Sequence, residues 1–283
     1  MKKNALFLAL FSMIPLLSAE NPLQFREYSQ TFTLSFPTEQ DARNAVLTAK
    51  ALPADYKLAF SSRWDDSSYS HLKTHEIMLK HKIKGTFFLG RNNWVLKKDP
   101  DYLAKLLKGG CTVGLHTVTH PQLPAQNPNE HFREYMSNRI QLETEAQIPV
   151  NAQVLPFCAW NGADPKIAQS IGWAMRASGV ISAPDVLYPA QEKFLGYPEK
   201  SFAQSRVLTP GDRNPDLKKL EQQLASALKN KKALAIQPSI SMSMHSWHTP
   251  EGLVNLDKAY ARLAGNPEWW YCNQNEYGAY RYE

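Results

Sequence analysis

Leu58-Ala59-Phe60-Ser61, a polar loop with Asp65-Asp66, the helical stretch His71 to His81, and then Gly85-Thr86-Phe87-Phe88-Leu89 form the passage that decides the fold. A short apolar run, a helix-length polar segment and a second apolar run make one strand–helix–strand unit. The rhythm continues downstream. Tyr102 to Lys108 reads as a helix stopped by Gly109-Gly110, and Cys111 to Leu115 as the next strand. The helix Glu130 to Ala146, the strand Ala152 to Pro156, the helix Pro165 to Ile171 and a strand Trp173 to Arg176 are expected after it. Strands alternating with helices of this length predict a parallel sheet whose functional residues gather at the carboxyl ends of the strands. Asp65-Asp66 follow the first of these strands, His116 the next but one, and His245 the apolar Ala233-Leu234-Ala235-Ile236 run, read as a further strand.

Upstream, Tyr28 to Phe36 alternates as a strand does, and Asp41 to Leu52 has the composition of a helix started near Thr38. Met1-Lys2-Lys3-Asn4 precedes the apolar run Ala5 to Ala19, and Leu17-Ser18-Ala19 supplies small residues before Glu20. This predicts a secretory signal over 1–19, a single catalytic domain over 20–283 and a secreted or periplasmic location. The apolar run falls short of the roughly 20 residues of a membrane-spanning helix, and Pro15 interrupts it. No membrane span is expected once the signal is cleaved. Without Lys2 and Lys3 the formal charge falls from +6 to +4, spread along the chain rather than massed as a nucleic-acid binder requires. Cys111, Cys158 and Cys272 form no CxxC pair, which argues against a thiolate zinc site; one disulfide among them is open, with partners undetermined.

Three sets of residues carry candidate chemistry. Asp65 and Asp66 are adjacent in a loop, so one can ligate a metal while the other stays available as a base, although adjacent acids are commonly caps or solvated loop residues. His116 and His120 in His116-Thr117-Val118-Thr119-His120-Pro121 have the four-residue spacing that brings two imidazoles to one side of a helical turn, as a shared metal needs. The chain has only eight histidines, which raises the weight of such a pair. An Asp with two His leaves open positions on a divalent ion, a hydrolytic arrangement. His71 and His75 share the spacing but read as surface or packing residues of a helix. Trp64, Trp160 and Trp247 offer faces for sugar rings, with burial in the core as the default. The long Pro- and aromatic-rich stretch Ala183 to Thr209 reads as an irregular excursion, and Trp269 to Tyr277 as the closing strand and helix.

Trp64-Asp65-Asp66, Lys84-Gly85-Thr86-Phe87-Phe88-Leu89-Gly90 and Val113-Gly114-Leu115-His116-Thr117-Val118-Thr119-His120-Pro121-Gln122-Leu123 together resemble the polysaccharide deacetylase pattern, the NodB homology domain of carbohydrate esterase family 4. The resemblance covers roughly Leu58 to Trp270. It implies an α/β fold, a distorted (β/α) barrel with fewer than eight parallel strands. It also implies a divalent metal, usually zinc, on Asp66, His116 and His120, with Asp65 as the base that takes a proton from the attacking water. The backbone N–H of Phe157 or Cys158 would stabilise the tetrahedral oxyanion. Met244-His245-Ser246-Trp247 resembles the late motif that supplies a proton to the leaving group, so the resemblance places the general acid at His245, with His248 as runner-up.

Two departures stand out. Val154-Leu155-Pro156-Phe157-Cys158 has Val where the third motif of the family begins with an Arg that orients the base; Arg176 is the candidate to fill that role from a neighbouring strand, an ordinary surface salt bridge being its alternative reading. Ser67 replaces the glycine that follows the Asp pair. The reading that results is a metal-dependent deacetylase acting on an acetylated extracellular or cell-wall glycan. A noncatalytic carbohydrate-binding protein on the same fold is the alternative from another class, and a metal hydrolase of a different amide or ester would use the same residues.

Overall fold

The computed structural model describes residues 7–9, 33–46, 50–66, 68–90, 95, 98–159, 165–184, 202–245 and 249–282. Ser67, Trp160, Trp247, His248 and residues 185–201 of the expected excursion lie outside them, as does most of the expected signal.

The chain divides into two compact units, residues 1–50 and 51–283. In the first, β1 (Phe7–Ala9) pairs antiparallel with β2 (Thr33–Ser35), and α1 (Glu39–Asn44) follows. Thr38 starts α1 by accepting from the Asp41 N–H at 3.1 Å. The helix starts where expected, near Thr38, but ends at Asn44, short of the expected Leu52.

The second unit holds β3 (Leu58–Asp65), α2 (Ser70–Lys80), β4 (Gly85–Leu89), α3 (Tyr102–Leu106), β5 (Thr112–Leu115), α4 (Pro128–Ala146), α5 (Pro165–Ala177), β6 (Arg206–Leu208), α6 (Leu217–Lys229), α7 (Lys231–Ile236), β7 (Ser239–His245), α8 (Pro250–Leu263), β8 (Trp269–Tyr271) and α9 (Gln274–Tyr282). The sheet order is β5-β4-β3-β7-β6, with β8 also on β3, and every pairing in it is parallel. Single bridges carry the pairing on from Leu115 to Gln153, from Ala152 to Ser182 and from Ser182 to Ala203, just ahead of β6. The expected fold class is what the chain adopts, a parallel α/β fold with six parallel strands among the described residues. Among the described residues the ladders themselves do not close into a barrel.

β3 is the axis of this sheet, flanked by β7 on one side and by β4 and β8 on the other, and all eight of its residues are buried. Side chains alternate along a strand. Ser62 and Trp64 turn outward to α8, where the Trp64 indole N–H donates to the Tyr260 hydroxyl at 3.1 Å. Ser61, Arg63 and Asp65 share the opposite face. There Gln274, the first residue of α9, donates to Ser61 and to Ser205 (3.3 Å) and accepts from Ser182 (3.0 Å), so the polar interior is bonded rather than empty. Gly85 opens β4 where an added Cβ would overlap the Ser62 carbonyl, which explains why that position lacks a side chain.

The helices cover the sheet through apolar residues at helical spacing. Leu217, Leu220, Leu224, Ala227 and Leu228 line one side of α6, and Leu256, Ala259, Tyr260 and Leu263 one side of α8. Burying each large apolar side chain contributes about 1.5–3 kcal/mol. Three expectations are corrected. Ala168, Ile171, Ala174 and Met175 are all buried, so α5 runs through to Ala177 and the strand expected at Trp173 to Arg176 does not form. Ala152 to Pro156 contributes only isolated bridges at 152 and 153. The apolar Ala233 to Ile236 belongs to a helix capped by Asn230, and the strand leading to His245 begins at Ser239.

Candidate active site

β3, β5 and β7 run parallel, so their carboxyl ends deliver Asp65, His116 and His245 to one rim. Asp65 is the last residue of β3 and is in register with His245, the last of β7. Asp66 turns off the strand at φ 64°, a left-handed conformation that Asp tolerates better than most residues. This brings its carboxylate to 3.4 Å from His116 Nε2 and 3.3 Å from His120 Nε2, with the two Nε2 atoms 3.1 Å apart.

The two imidazoles are not brought together by a helical turn, as the spacing suggested. Residues 116–120 form a loop with Thr117 at φ 63° and His120 at φ 56°. A β-branched residue resists positive φ, so something must hold the loop. Glu134 of α4, itself buried, accepts from the N–H groups of Val118 and Thr119 and from the Thr119 hydroxyl, each at 2.8 Å. Asn138, one turn on, accepts from the His116 N–H at 2.9 Å and donates to the Leu89 carbonyl at 3.1 Å.

His116 Nδ1 donates to the Val154 carbonyl at 3.0 Å, which puts the proton there and leaves the Nε2 lone pair facing Asp66. Three acceptor atoms, two imidazole nitrogens and a carboxylate oxygen, thus lie within 4.8 Å of one another. Such a set needs a cation among its members, and its chemistry fits a divalent metal. Burial alone would raise the Asp66 carboxyl; when the facing nitrogens of His116 and His120 carry a proton, their hydrogen bonds outweigh it and hold the group well below the usual carboxylate range.

Asp65 stands beside this set. Arg63, two residues earlier on the same strand, donates from Nε to one Asp65 oxygen at 2.9 Å and from Nη2 to the other at 2.6 Å. Burial pushes the Asp65 carboxyl up, but the Arg63 guanidinium, with help from His116 and His245, brings it below its ordinary value. The Asp65 carbonyl accepts from His71 Nε2 at 3.2 Å, and His71 Nδ1 meets the Tyr102 hydroxyl at 2.9 Å. His71 and His75 are accordingly packing residues, fully interior on α2 rather than at its surface. Arg176, expected to hold Asp65, is exposed on α5 with its guanidinium 5.7 Å from the Phe202 ring centroid. The expectation fails because residues 173–176 are helical and point Arg176 away from the sheet interior, where Arg63 sits.

His245 Nε2 is 3.7 Å from Asp66 Oδ2, and its Nδ1 bonds to Asp212, whose carbonyl also accepts from the His245 N–H at 3.0 Å. Phe157, at φ 57° and largely exposed, sets its ring edge-on to His120 at 4.6 Å. Cys158 N–H is committed to the Leu155 carbonyl at 3.1 Å. All three cysteines are free thiols, and burial pushes Cys111 up to about 11.

Arg63, Asp212, Glu134 and Asn138 are the site residues that the sequence reading passed over. Arg63 had a signal, since residues two apart on a strand share a face. The other three are brought in by tertiary folding alone.

The family model described as Polysaccharide deacetylase matches residues 61–175, the stretch that carries Arg63, Asp65, Asp66, His116 and His120. That stretch, which supplies the site residues of β3 and of the histidine loop, is similar to that family. Among solved structures the chain is similar to the CE4 domain of a multidomain xylanase from the hindgut metagenome of Trinervitermes trinervoides, at 14% identity and TM-score 0.54 over 78% of this chain and 89% of that one. It is similar to a family 4 carbohydrate esterase from Streptomyces lividans at 12% identity and TM-score 0.52, over 77% and 92% of the two chains. A CE4 family pseudoenzyme from Bacillus anthracis matches at 14% identity and TM-score 0.50, over 74% and 62%. At these identities the likeness is one of fold. No curated protein matches the chain.

Proposed function

We propose that the protein is a metal-dependent hydrolase, exported under the direction of residues 1–19, that removes acetyl groups from an extracellular or cell-wall polysaccharide. The observation that carries this reading is the convergence of Asp66, His116 and His120 beside the Arg63–Asp65 pair and His245 on one strand-end rim. Asp66, His116 and His120 would hold the ion, with zinc favoured by a donor set of two imidazoles and one carboxylate. Such an ion supplies Lewis acidity toward water and a carbonyl oxygen.

The chain's own groups divide the remaining work. Asp65, ionised at neutral pH, accepts the proton of the attacking water. His245 gives a proton to the departing amine or alkoxide, its ring oriented by Asp212 on Nδ1 so that Nε2 faces the site. With Cys158 N–H bonded to Leu155, Phe157 N–H is the one of the two candidate donors left to meet a developing oxyanion. The exposed Phe157 ring beside His120 offers a face to a sugar. Val154, in place of the family arginine, is the feature that favours a noncatalytic carbohydrate-binding protein instead.

Acetate release from N-acetylated and O-acetylated glycans by the metal-loaded full chain separates the two. The hydrolase predicts release that falls about 10²–10⁴-fold in Asp65→Asn with metal binding retained. Metal and glycan binding without release from any acetylated substrate would leave only the binding protein.

A further inference from the structure

We infer that Arg63 is the positioning residue of Asp65, so that the duty given in the family to an arginine of the third motif has moved onto the strand that bears the base. The inference rests on the hydrolase reading above and concerns how its base is held.

Three observations carry it. The position where the resemblance expects the arginine is filled by Val154, fully buried in an apolar cluster with Phe88 and Ala152, and has no charge to offer the base. Arg176 lies exposed on α5 against Phe202. Among the described arginines Arg63 alone reaches the base, and it does so with both arms of its fork, at 2.9 and 2.6 Å. A two-point contact fixes the plane of a carboxylate as well as its position. Each oxygen keeps a further lone pair, so a carboxylate held in this way can still accept a proton from water.

The surroundings are shaped for the arginine. On β7 the residues in register with Arg63 and Ser61 are Ser243 and Ser241, small side chains that leave room inside the sheet. Ser241 is fully buried with its hydroxyl unpartnered. A buried ion pair seldom adds stability over an apolar filling of the same volume, and leucine or methionine at 63 and 65 would suit a purely structural strand. The charge is kept where Asp65 abuts Asp66. Because Arg63 and Asp65 sit on one strand face, their geometry is set by β3 and does not depend on the loop from Val154 to Ala159.

The test uses the full chain loaded with zinc and acetate release from an N-acetylglucosamine oligomer and an O-acetylated glycan. Arg63→Lys keeps the charge and loses the fork. It should lower kcat about 100-fold while KM stays within about threefold, and zinc affinity should hold because Asp66, His116 and His120 are untouched. Arg63→Ala, where it folds, should regain about tenfold in kcat on addition of guanidinium ion, with no such rescue of Asp65→Asn. Independently of activity, the Arg63 Nε–H resonance in ¹⁵N spectra should shift in Asp65→Asn while the other arginine Nε–H signals stay in place. Arg63→Lys with kcat within about threefold of wild type, a rise in KM with kcat intact, or an Nε–H that Asp65→Asn leaves unmoved would overturn the positioning role alone. A wild type that releases no acetate would overturn the hydrolase reading and this role with it.

Discussion

The rim is built from two unlike halves. At the ends of β3 and β5, Arg63 and Asp65 are 3% and 8% exposed, and the histidine loop is pinned from behind by Glu134 and Asn138. At the end of β7, His245 is 43% and its partner Asp212 62% exposed, and Asp212 lies in the loop between β6 and α6. The first half is locked by the core; the second, to which we assign the proton donor, faces solvent. Groups that must hold a cation and a base in register need rigidity, whereas a group that follows a leaving sugar needs access to it.

The sharpest way to break this contrast is to delete one histidine from each half. His116→Ala should abolish metal binding and activity together and lower the melting temperature, because it removes a fully buried ring bonded to Val154. His245→Ala should keep the metal and the melting temperature and lose about 10²–10⁴-fold in kcat. Metal titration and calorimetry on the pair decide the matter, and a His245 variant that fails to bind metal would mean the halves are not distinct. A smaller effect is expected one bond further out. Asp212→Asn should lower kcat about tenfold without changing metal affinity, since an exposed partner tunes the His245 ring rather than building it.

The smallest effect lies away from the rim. Asp257 of α8 bonds to Lys80 at 2.8 Å and His81 at 2.7 Å, which together hold its carboxyl below the usual value. A depressed carboxyl contributes stability above its unfolded pKa and loses it as pH falls through the folded one. Asp257→Asn should therefore lower the melting temperature at pH 7 by no more than about 2 °C, and the difference should vanish in acid. A loss of that size at the rim with no loss of turnover would blur the distinction between the halves.

What the sequence disclosed follows the same division. The alternation of β3, α2 and β4, and the three acceptor residues Asp66, His116 and His120, were legible because strand runs and short spacings are local. The Asp65–His245 register was foreseen only as a shared strand-end location, since pairing between β3 and β7 joins residues 180 positions apart. Arg176 was misplaced because the apolar residues of 168–175 read equally well as a helix followed by a strand, and packing chose a continuous helix. Glu134 and Asn138 could not be singled out, being two ordinary polar residues of a long helix until the fold sets them behind the histidine loop.

That last pair alters how the rim meets its ligand. Thr117 and His120 stand at positive φ at the expense of Glu134, which supplies three hydrogen bonds to the loop. The loop is therefore set before anything binds, and an arriving cation has only its own water to shed rather than a chain to order. The affinity of the rim for a cation would in this sense be decided on α4, by how firmly the helix that braces the histidine loop is seated in the core.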